Sequence, residues 1–374
     1  MNRGKKILVL VSNDLATDQR VHRICSTIYK DNFRLELWGR ERSNSLSLPM
    51  WPWKARRFNM IFETGPLFYI SLTLTFIFRL LFKRFDIIYA NDLDTLLPAY
   101  LVSKLRNKVL IYDTHEYFTG VPELVQRPRI RAIWKKIESF IFPKLNHVFT
   151  VNQSIADLYF KEYRVMPLVM RNIPMNENLL LHKSRLDLGL PSHKFLILLQ
   201  GNGINIQRGA EEAVEMMKFI LNSCLVIVGS GDVIPLLKNT VEQEKLQEKV
   251  LFFPRMPYTE LAQYTLNCDL GLSLDKPTNI NYQLSLPNKL FDYIRAEIPV
   301  LASNLVEVRK IVENYNIGEI AENHQPEYLA QKVNELMNNK ILLETFKTNC
   351  QKAKHHLTWE NESQVLLNLL IQLN

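Results

Sequence analysis

Ser285-Leu286-Pro287-Asn288-Lys289-Leu290-Phe291-Asp292-Tyr293, followed by Arg295-Ala296-Glu297-Ile298-Pro299-Val300, reads as a loop, a short helix and the start of a strand. Pro287 leads into the helix, whose first turn carries Asn288 and Lys289, and the helix ends before Pro299. Backbone N–H groups at such a helix start, joined by a lysine, can hold an anionic group. Asp292, one turn further in, can accept hydrogen bonds from sugar hydroxyls. A loop that holds diphosphate beside a carboxylate that holds ribose would bind a nucleotide. An ordinary polar surface helix fits this stretch equally well, so the rest of the chain has to decide.

To the C-terminal side, Val300–Ala302 is the next apolar run, followed by helices over Pro326–Met337, Ile341–Lys354 and Trp359–Leu373. To the N-terminal side, strands are expected at Phe195–Leu199, Leu225–Val228, Val250–Phe253 and Leu270–Leu274. Helices at Gly209–Ile220, Val233–Leu246 and Tyr258–Leu266 separate them. Residues 171–194 read as a connector, and before it the same alternation occurs once already. Its strands are Lys6–Val11, Arg34–Trp38, Asp86–Ala90, Val109–Tyr112 and His147–Val151. Its helices are Asp18–Lys30, Thr95–Lys104, Arg129–Phe142 and Ile155–Tyr163. Strands alternating with helices predict α/β architecture with parallel sheets covered on both faces. A chain of 374 residues is long for one core, so two doubly wound domains flanking a cleft are expected. The expected boundaries are 1–172, 173–355, and a C-terminal helix over 356–374 returning to the first domain.

Composition narrows the function classes. An apolar fraction of 47% and a charged fraction of 22% describe a folded globular chain. Cys25, Cys224, Cys268 and Cys350 form no C-x-x-C pair, which points to a reducing cytoplasm and to neither a zinc site nor a disulfide framework. The apolar run Ile7–Val11 is too short for a signal-peptide core, so no export signal is expected. Residues 1–174 hold 27 Lys and Arg against 15 Asp and Glu, whereas the remainder is slightly acidic. Only the first half should therefore meet an anionic partner, and with no RNP or zinc-finger spacing an anionic membrane surface is expected rather than nucleic acid. Leu67–Phe82 is almost wholly apolar and is followed by Lys83 and Arg84. Its 16 residues fall short of the roughly 20 that span a bilayer. It reads either as a helix buried against the domain, or as one lying in a membrane interface with Trp51, Trp53, Lys54, Arg56 and Arg57 as anchors.

No G-x-G-x-x-G follows the first strand, and no P-loop or G-x-S-x-G elbow is present, which argues against dinucleotide redox chemistry, P-loop hydrolysis and an α/β-hydrolase. Asp92-Leu93-Asp94 has a spacing that can bind a metal–diphosphate, but Asp94-Thr95 reads better as a helix N-cap. Asp113-Thr114-His115-Glu116 gathers acid and imidazole at a strand end. Gly201-Asn202-Gly203 and Gly229-Ser230-Gly231 end successive strands of the second half, and Arg208-Gly209 enters a helix where an arginine can clamp a phosphate.

Together these residues resemble the retaining glycosyltransferases of GT-B fold, family 4, with the glycosyl transferases group 1 domain. Val226-Ile227-Val228-Gly229-Ser230-Gly231, Arg208-Gly209 and Phe291-Asp292-Tyr293 through Pro299-Val300 carry the resemblance. Leu286-Pro287-Asn288-Lys289-Leu290-Phe291-Asp292-Tyr293 is similar to a bacterial subgroup, as are Asn91 to Leu96, Tyr112 to Glu116 and Arg171 to Pro174. The resemblance implies a nucleoside diphosphate sugar donor (UDP or GDP) on the second domain and a glycan or lipid-linked acceptor on the first. It implies catalytic roles for His115, Arg208 and Lys289. Donor contacts would come from Gly201, Asn202, Arg208, Gly229, Arg255, Met256, Ser285, Leu286, Pro287, Asn288, Lys289 and Asp292. Asp14, Asp18, Arg20 and Glu116 would lie on the acceptor side.

Cationic groups would stabilise the leaving diphosphate, so neither metal nor cofactor is expected. The implied activity is retaining sugar transfer in bacterial surface polysaccharide assembly, at the cytoplasmic side of the cell membrane. The sequence departs from the family pattern where Leu284 replaces the first glutamate of its E-x7-E pair, where Asp292 replaces the second, and where the loop Ser12–Asp18 lacks glycines. A nucleotide-sugar 2-epimerase of the same fold and a non-catalytic nucleotide-sugar-binding subunit are the alternative readings.

Overall fold

The computed structural model describes residues 4–16, 18–43, 45, 47–175 and 183–373. Arg3 near the start, Thr17 of the first-strand loop, 176–182 of the expected connector and the terminal 374 lie outside the described residues. The chain divides into two compact units, Met1–Asn172 with Trp359–Asn374, and Ile173–Thr358.

The first unit holds β1 (Lys6–Leu10), α1 (Gln19–Lys30), β2 (Arg34–Glu41), β3 (Lys54–Asn59), α2 (Gly65–Phe82), β4 (Ile87–Asn91), α3 (Leu93–Leu105) and β5 (Val109–Thr114). It continues with α4 (Pro122–Val125), α5 (Pro128–Ile141), β6 (His147–Thr150), α6 (Gln153–Tyr163) and β7 (Leu168–Val169). The strands make one sheet in the order β3-β2-β1-β4-β5-β6-β7, and every pairing is parallel. The order reverses between β1 and β4, so the carboxyl ends of those strands open the crevice of a doubly wound sheet. Central β1 and β4 are apolar except at Lys6 and Asn91, as strands covered on both faces are. β3 escapes the sequence pattern. It is a basic edge strand, Lys-Ala-Arg-Arg-Phe-Asn, with only Phe58 buried, and charge on an edge discourages further pairing.

Two sequence expectations need correction here. α3 starts at Leu93, so the cap position is Asp92 and not Asp94. Thr95 already lies in the first turn, its hydroxyl donating to the Asn91 carbonyl at 2.6 Å. The apolar helix α2 is 18 residues long and not 16, and is long and apolar enough to cross a membrane by length and composition, with a mean hydropathy of 1.6. It buries one stripe, Phe68, Leu72, Phe76 and Leu80, and leaves Leu67, Ile70, Leu74, Phe78 and Phe82 exposed. Of the expected aromatic and basic anchors, Trp53 is buried against His22 and Tyr29 of α1, and half-buried Arg57 is engaged in an ion pair with Asp14. The terminal segment breaks into α15 (Trp359–Glu362) and α16 (Gln364–Gln372). It is tied to the unit by the Trp359 indole, which donates to Thr27 Oγ1 at 2.9 Å, and by the Arg171–Glu362 ion pair.

The second unit repeats the plan with β8 (Phe195–Gly201), α7 (Ala210–Met216), β9 (Ser223–Gly229), α8 (Ile234–Gln243), β10 (Val250–Phe253), α9 (Tyr258–Leu266) and β11 (Leu270–Ser273). α10 (Ile280–Gln283), α11 (Asn288–Arg295), β12 (Val300–Ser303), α12 (Val306–Tyr315), β13 (Gly318–Ala321), α13 (Pro326–Asn338) and α14 (Lys340–His356) complete it. The sheet order is β10-β9-β8-β11-β12-β13, again all parallel. Here the order reverses between β8 and β11. One face of the sheet packs on Ala213, Val214 and Met217 with α13; the other packs on Leu290, Phe291, Tyr293 and Ile294 of α11. The opening stretch of sequence is therefore a core helix, held by its apolar face.

Candidate functional site

Three charged side chains meet at the β8/β11 switch point of the second unit. Arg208 comes from the loop after β8, Lys289 from the first turn of α11, and Asp275 from the loop just after β11. Arg208 Nη1 lies 3.0 Å from Asp275 Oδ1, and Lys289 Nζ lies 2.9 Å from Asp275 Oδ2. Asp275 is fully buried, and although burial raises its pKa, Lys289 and Arg208 outweigh that and hold it below the usual carboxylate range. It is a carboxylate at neutral pH. The Arg208 guanidinium also sits over the Tyr282 ring, 4.6 Å from its centroid. Gly209 sets where Arg208 can be: at φ +76° it adopts a backbone that favours glycine, and a Cβ there would meet the Leu274 carbonyl oxygen at 2.2 Å. The two cations expected to hold a diphosphate are thus brought together, by a residue that carried no motif.

The loop before α11 is held by hydrogen bonds of its own side chains. Asn279 caps α10 by accepting from the Tyr282 amide at 2.9 Å, and Ser285 turns back to the Tyr282 carbonyl. Leu286 packs into the core, and Pro287 occupies the N-cap position of α11 with no side-chain acceptor to offer. The first-turn amides at Asn288 and Lys289 therefore receive no cap from that side chain, which leaves them suited to an anion.

The other expected donor residues divide between two places. Gly229 and Arg255 line a hollow of ≈ 390 Å³, together with Ser230, Gly231 and Phe253. Gly201 pairs with Gly229 in register, and a Cβ on Gly229 would lie 1.8 Å from the Gly201 carbonyl oxygen. Asn202 is exposed in the following loop, and Met256 packs against the core. Asp292 lines a second hollow of ≈ 650 Å³. Its Oδ1 accepts from the Tyr258 hydroxyl and its Oδ2 from Gln200 Nε2, both at 2.9 Å. It is held in place with a lone pair of each oxygen already engaged.

In the first unit the corresponding switch point, between β1 and β4, gathers Asp92, Asp94 and, from the end of β5, His115. His115 Nδ1 lies 3.3 Å from Asp92 Oδ2, and its amide donates to Asp92 Oδ1 at 3.1 Å. Its Nε2 is 3.6 Å from Asp113 Oδ2, too far for a hydrogen bond. Burial alone would lower the imidazole pKa, but Asp92 and Asp113 outweigh it and raise it to about 9. His115 is therefore an imidazolium at neutral pH, a donor and not a base. Asp94 is buried with Oδ1 lacking a hydrogen-bond partner, and burial followed by the Asp92 charge pushes its pKa up to about 7.

Arg20, expected on the acceptor side, is 3% exposed. Its Nε and Nη2 grip Asp113 at 3.0 and 2.8 Å, and its Nη1 donates to the Met170 carbonyl at 2.8 Å. Tyr89 donates to the same carboxylate at 3.0 Å. Asp18 caps α1 through the Val21 amide, Asp14 pairs with Arg57, and the Glu116 carbonyl accepts from Thr114 Oγ1. Among the described residues no set of three or more His, Cys, Asp or Glu side chains is placed to hold a metal ion.

Two signals could have found Asp275 and Asp94 in the sequence. Asp275 is an acid directly after an apolar strand of the same sheet as Arg208, where a counter-charge to buried cations would be needed. Asp94 faces burial because Leu93 and Leu96 flank it on the helix.

No curated protein matches the sequence. Among solved structures, the sucrose-phosphate synthase from Thermosynechococcus elongatus superposes with a TM-score of 0.78 at 16% identity, covering 99% of each chain. Anabaena Alr3699/HepE, solved in complex with UDP, gives 0.75 at 15% identity over 98% of this chain and 100% of the other. WaaG, a glycosyltransferase involved in lipopolysaccharide biosynthesis, gives 0.69 at 14% identity over 96% and 98%. These likenesses show the fold, which is GT-B: α/β, with two Rossmann-like domains. Residues 189–353, all within the second unit, match the family model described as Glycosyl transferases group 1.

Proposed function

We propose that the protein is a glycosyltransferase that takes a sugar from a nucleoside diphosphate sugar and passes it, with retention of configuration, to a glycan or lipid-linked acceptor. The observation that carries this reading is the meeting of Arg208 and Lys289 at Asp275, beside uncapped amides of α11. Two cations and a helix start match a diphosphate, and they stabilise the charge that grows on it as the glycosidic bond breaks. No divalent ion is then required for departure of the leaving group. Asp292 would accept from ribose hydroxyls beside Tyr258 and Gln200, and the hollow at Gly229 and Arg255 would take the base. The HepE structure holding UDP-glucose supports a uridine donor, with GDP as the other candidate.

On the first unit, the His115 imidazolium would be a catalytic donor, with Asp14, Asp18 and Glu116 on the acceptor side. Arg20 would act there only through Asp113. The similarity to WaaG supports a role in bacterial surface polysaccharide assembly. The exposed stripe of α2, followed by Lys83 and Arg84, supports peripheral contact with an anionic membrane on its cytoplasmic face.

A thermal-shift panel of UDP- and GDP-sugars tests the donor half of this reading and names base and sugar together. Turnover of the stabilising donor with a lipid-linked acceptor tests the rest. An epimerised sugar released without any acceptor would instead make the protein an epimerase.

A further inference from the structure

Asp275 has a consequence for the donor site beyond fixing two side chains. Arg208 and Lys289 bring two positive charges, and the buried carboxylate between them removes one. The adjoining Lys276 is balanced separately by Glu212. Both cations keep spare donors: the Lys289 ammonium has N–H groups beyond the one on Asp275, and the buried Arg208 Nε has no hydrogen-bond partner. Asp275 thus occupies the cations without exhausting them.

We infer that Asp275 is an internal counter-anion that stands in for diphosphate when the site is empty, and weakens the hold on the nucleoside diphosphate so that the product can leave. This rests on the donor-site reading above. The released nucleoside diphosphate carries a further negative charge on its terminal phosphate, so two uncompensated cations would favour it over the donor. An aspartate that neutralises one of them shifts the balance toward release. It also keeps the empty site folded, since unpaired cations that are mostly buried are unfavourable.

The test is calorimetric titration of UDP, and separately GDP, into wild-type protein, Asp275→Asn, Lys289→Met and the double variant Lys289→Met/Asp275→Asn. Asp275→Asn is expected to bind the nucleoside diphosphate about tenfold more tightly, the order expected for one added charge near a partly buried site. Lys289→Met leaves Arg208 neutralised by Asp275 and should bind weakly. Adding Asp275→Asn to it frees Arg208 and should recover affinity several-fold. A gain in affinity is not a result that mere structural damage produces, and the Lys289→Met pair decides the matter even if Asp275→Asn alone does not fold. Unchanged or weaker binding on removing the carboxylate, in protein whose wild type binds, overturns the counter-anion role and leaves the donor site standing. A wild type that binds neither UDP nor GDP removes the donor site and this inference with it.

Discussion

Arg20→Met should break the first unit rather than its chemistry. The guanidinium is 3% exposed and makes three hydrogen bonds, two to a carboxylate with no exposure at all. Removing it strands Asp113 with Tyr89 as its remaining close donor and leaves the Met170 carbonyl without that arginine. Breaking one partner of a buried pair costs about 3–5 kcal/mol. For a unit of this size each kcal/mol moves the midpoint by roughly 2–4 °C, so the melting temperature should fall by about 6–20 °C.

All five tryptophans, Trp38, Trp51, Trp53, Trp134 and Trp359, lie in the first unit, so intrinsic fluorescence reads its unfolding selectively. The pH dependence is a second constraint. The Asp113 pKa is held well below the usual range, with burial opposing and Arg20 the main cause of the lowering. Stability from that depressed pKa is present above the unfolded carboxylate value and is lost as pH falls, so wild type and variant should converge in acid. Arg20→Met/Asp113→Asn, with no buried charge left in the pair, should regain half or more of the loss. A single variant within about 1 kcal/mol of wild type, or a double variant less stable than the single, would refute the reasoning.

Asp94→Asn should behave in the opposite sense. The folded Asp94 pKa is raised to about 7, so wild type loses stability as pH climbs from the unfolded value toward 7, while the amide does not. Urea unfolding at pH 8 should show the variant ahead by on the order of 1–3 kcal/mol, with the difference gone near pH 4; equal pH profiles would contradict the buried acid. On α2, Leu74→Glu with Phe78→Glu changes side chains that are 61% and 67% exposed, and should leave stability within about 1 kcal/mol. The same pair should abolish sedimentation with anionic vesicles at low salt, whereas retained sedimentation would move the membrane contact off this face. Phe76→Ala, fully buried on the same helix, should instead cost about 3–5 kcal/mol, measured by thermal unfolding.

Ten of the strands in the two parallel sheets were legible because each is a short apolar run bounded by turns, whereas two-residue β7 and β13, which begins Gly-Glu, offer no such run and were missed. β3 was missed too, because a basic edge strand buries a single side chain and shows no apolar run. The start of α3 was misplaced for a local reason: Asp94-Thr95 has cap chemistry, but Asp92 lies ahead of it and takes the cap position at φ 59°. α2 was readable as apolar, and only packing could divide it into a buried and an exposed stripe. At the site, Arg208 and Lys289 were visible through their positions at a strand end and a helix start. The partners that fix them were not. Asp275 is 67 residues from Arg208 and Arg20 is 93 from Asp113, so a single sequence can mark an acid at a strand end but not which cation it meets.

The donor-site account stands or falls on one titration, of wild type against Arg208→Met/Lys289→Met with UDP, GDP and their sugar esters. At about 100 times its dissociation constant a ligand should stabilise the second unit by about 2.7 kcal/mol, readable as a melting shift of roughly 5–11 °C. The account predicts such a shift for one nucleotide family in wild type and its loss in a double variant that still folds. An equal shift in both proteins would place the nucleotide away from Arg208 and Lys289, and would contradict it.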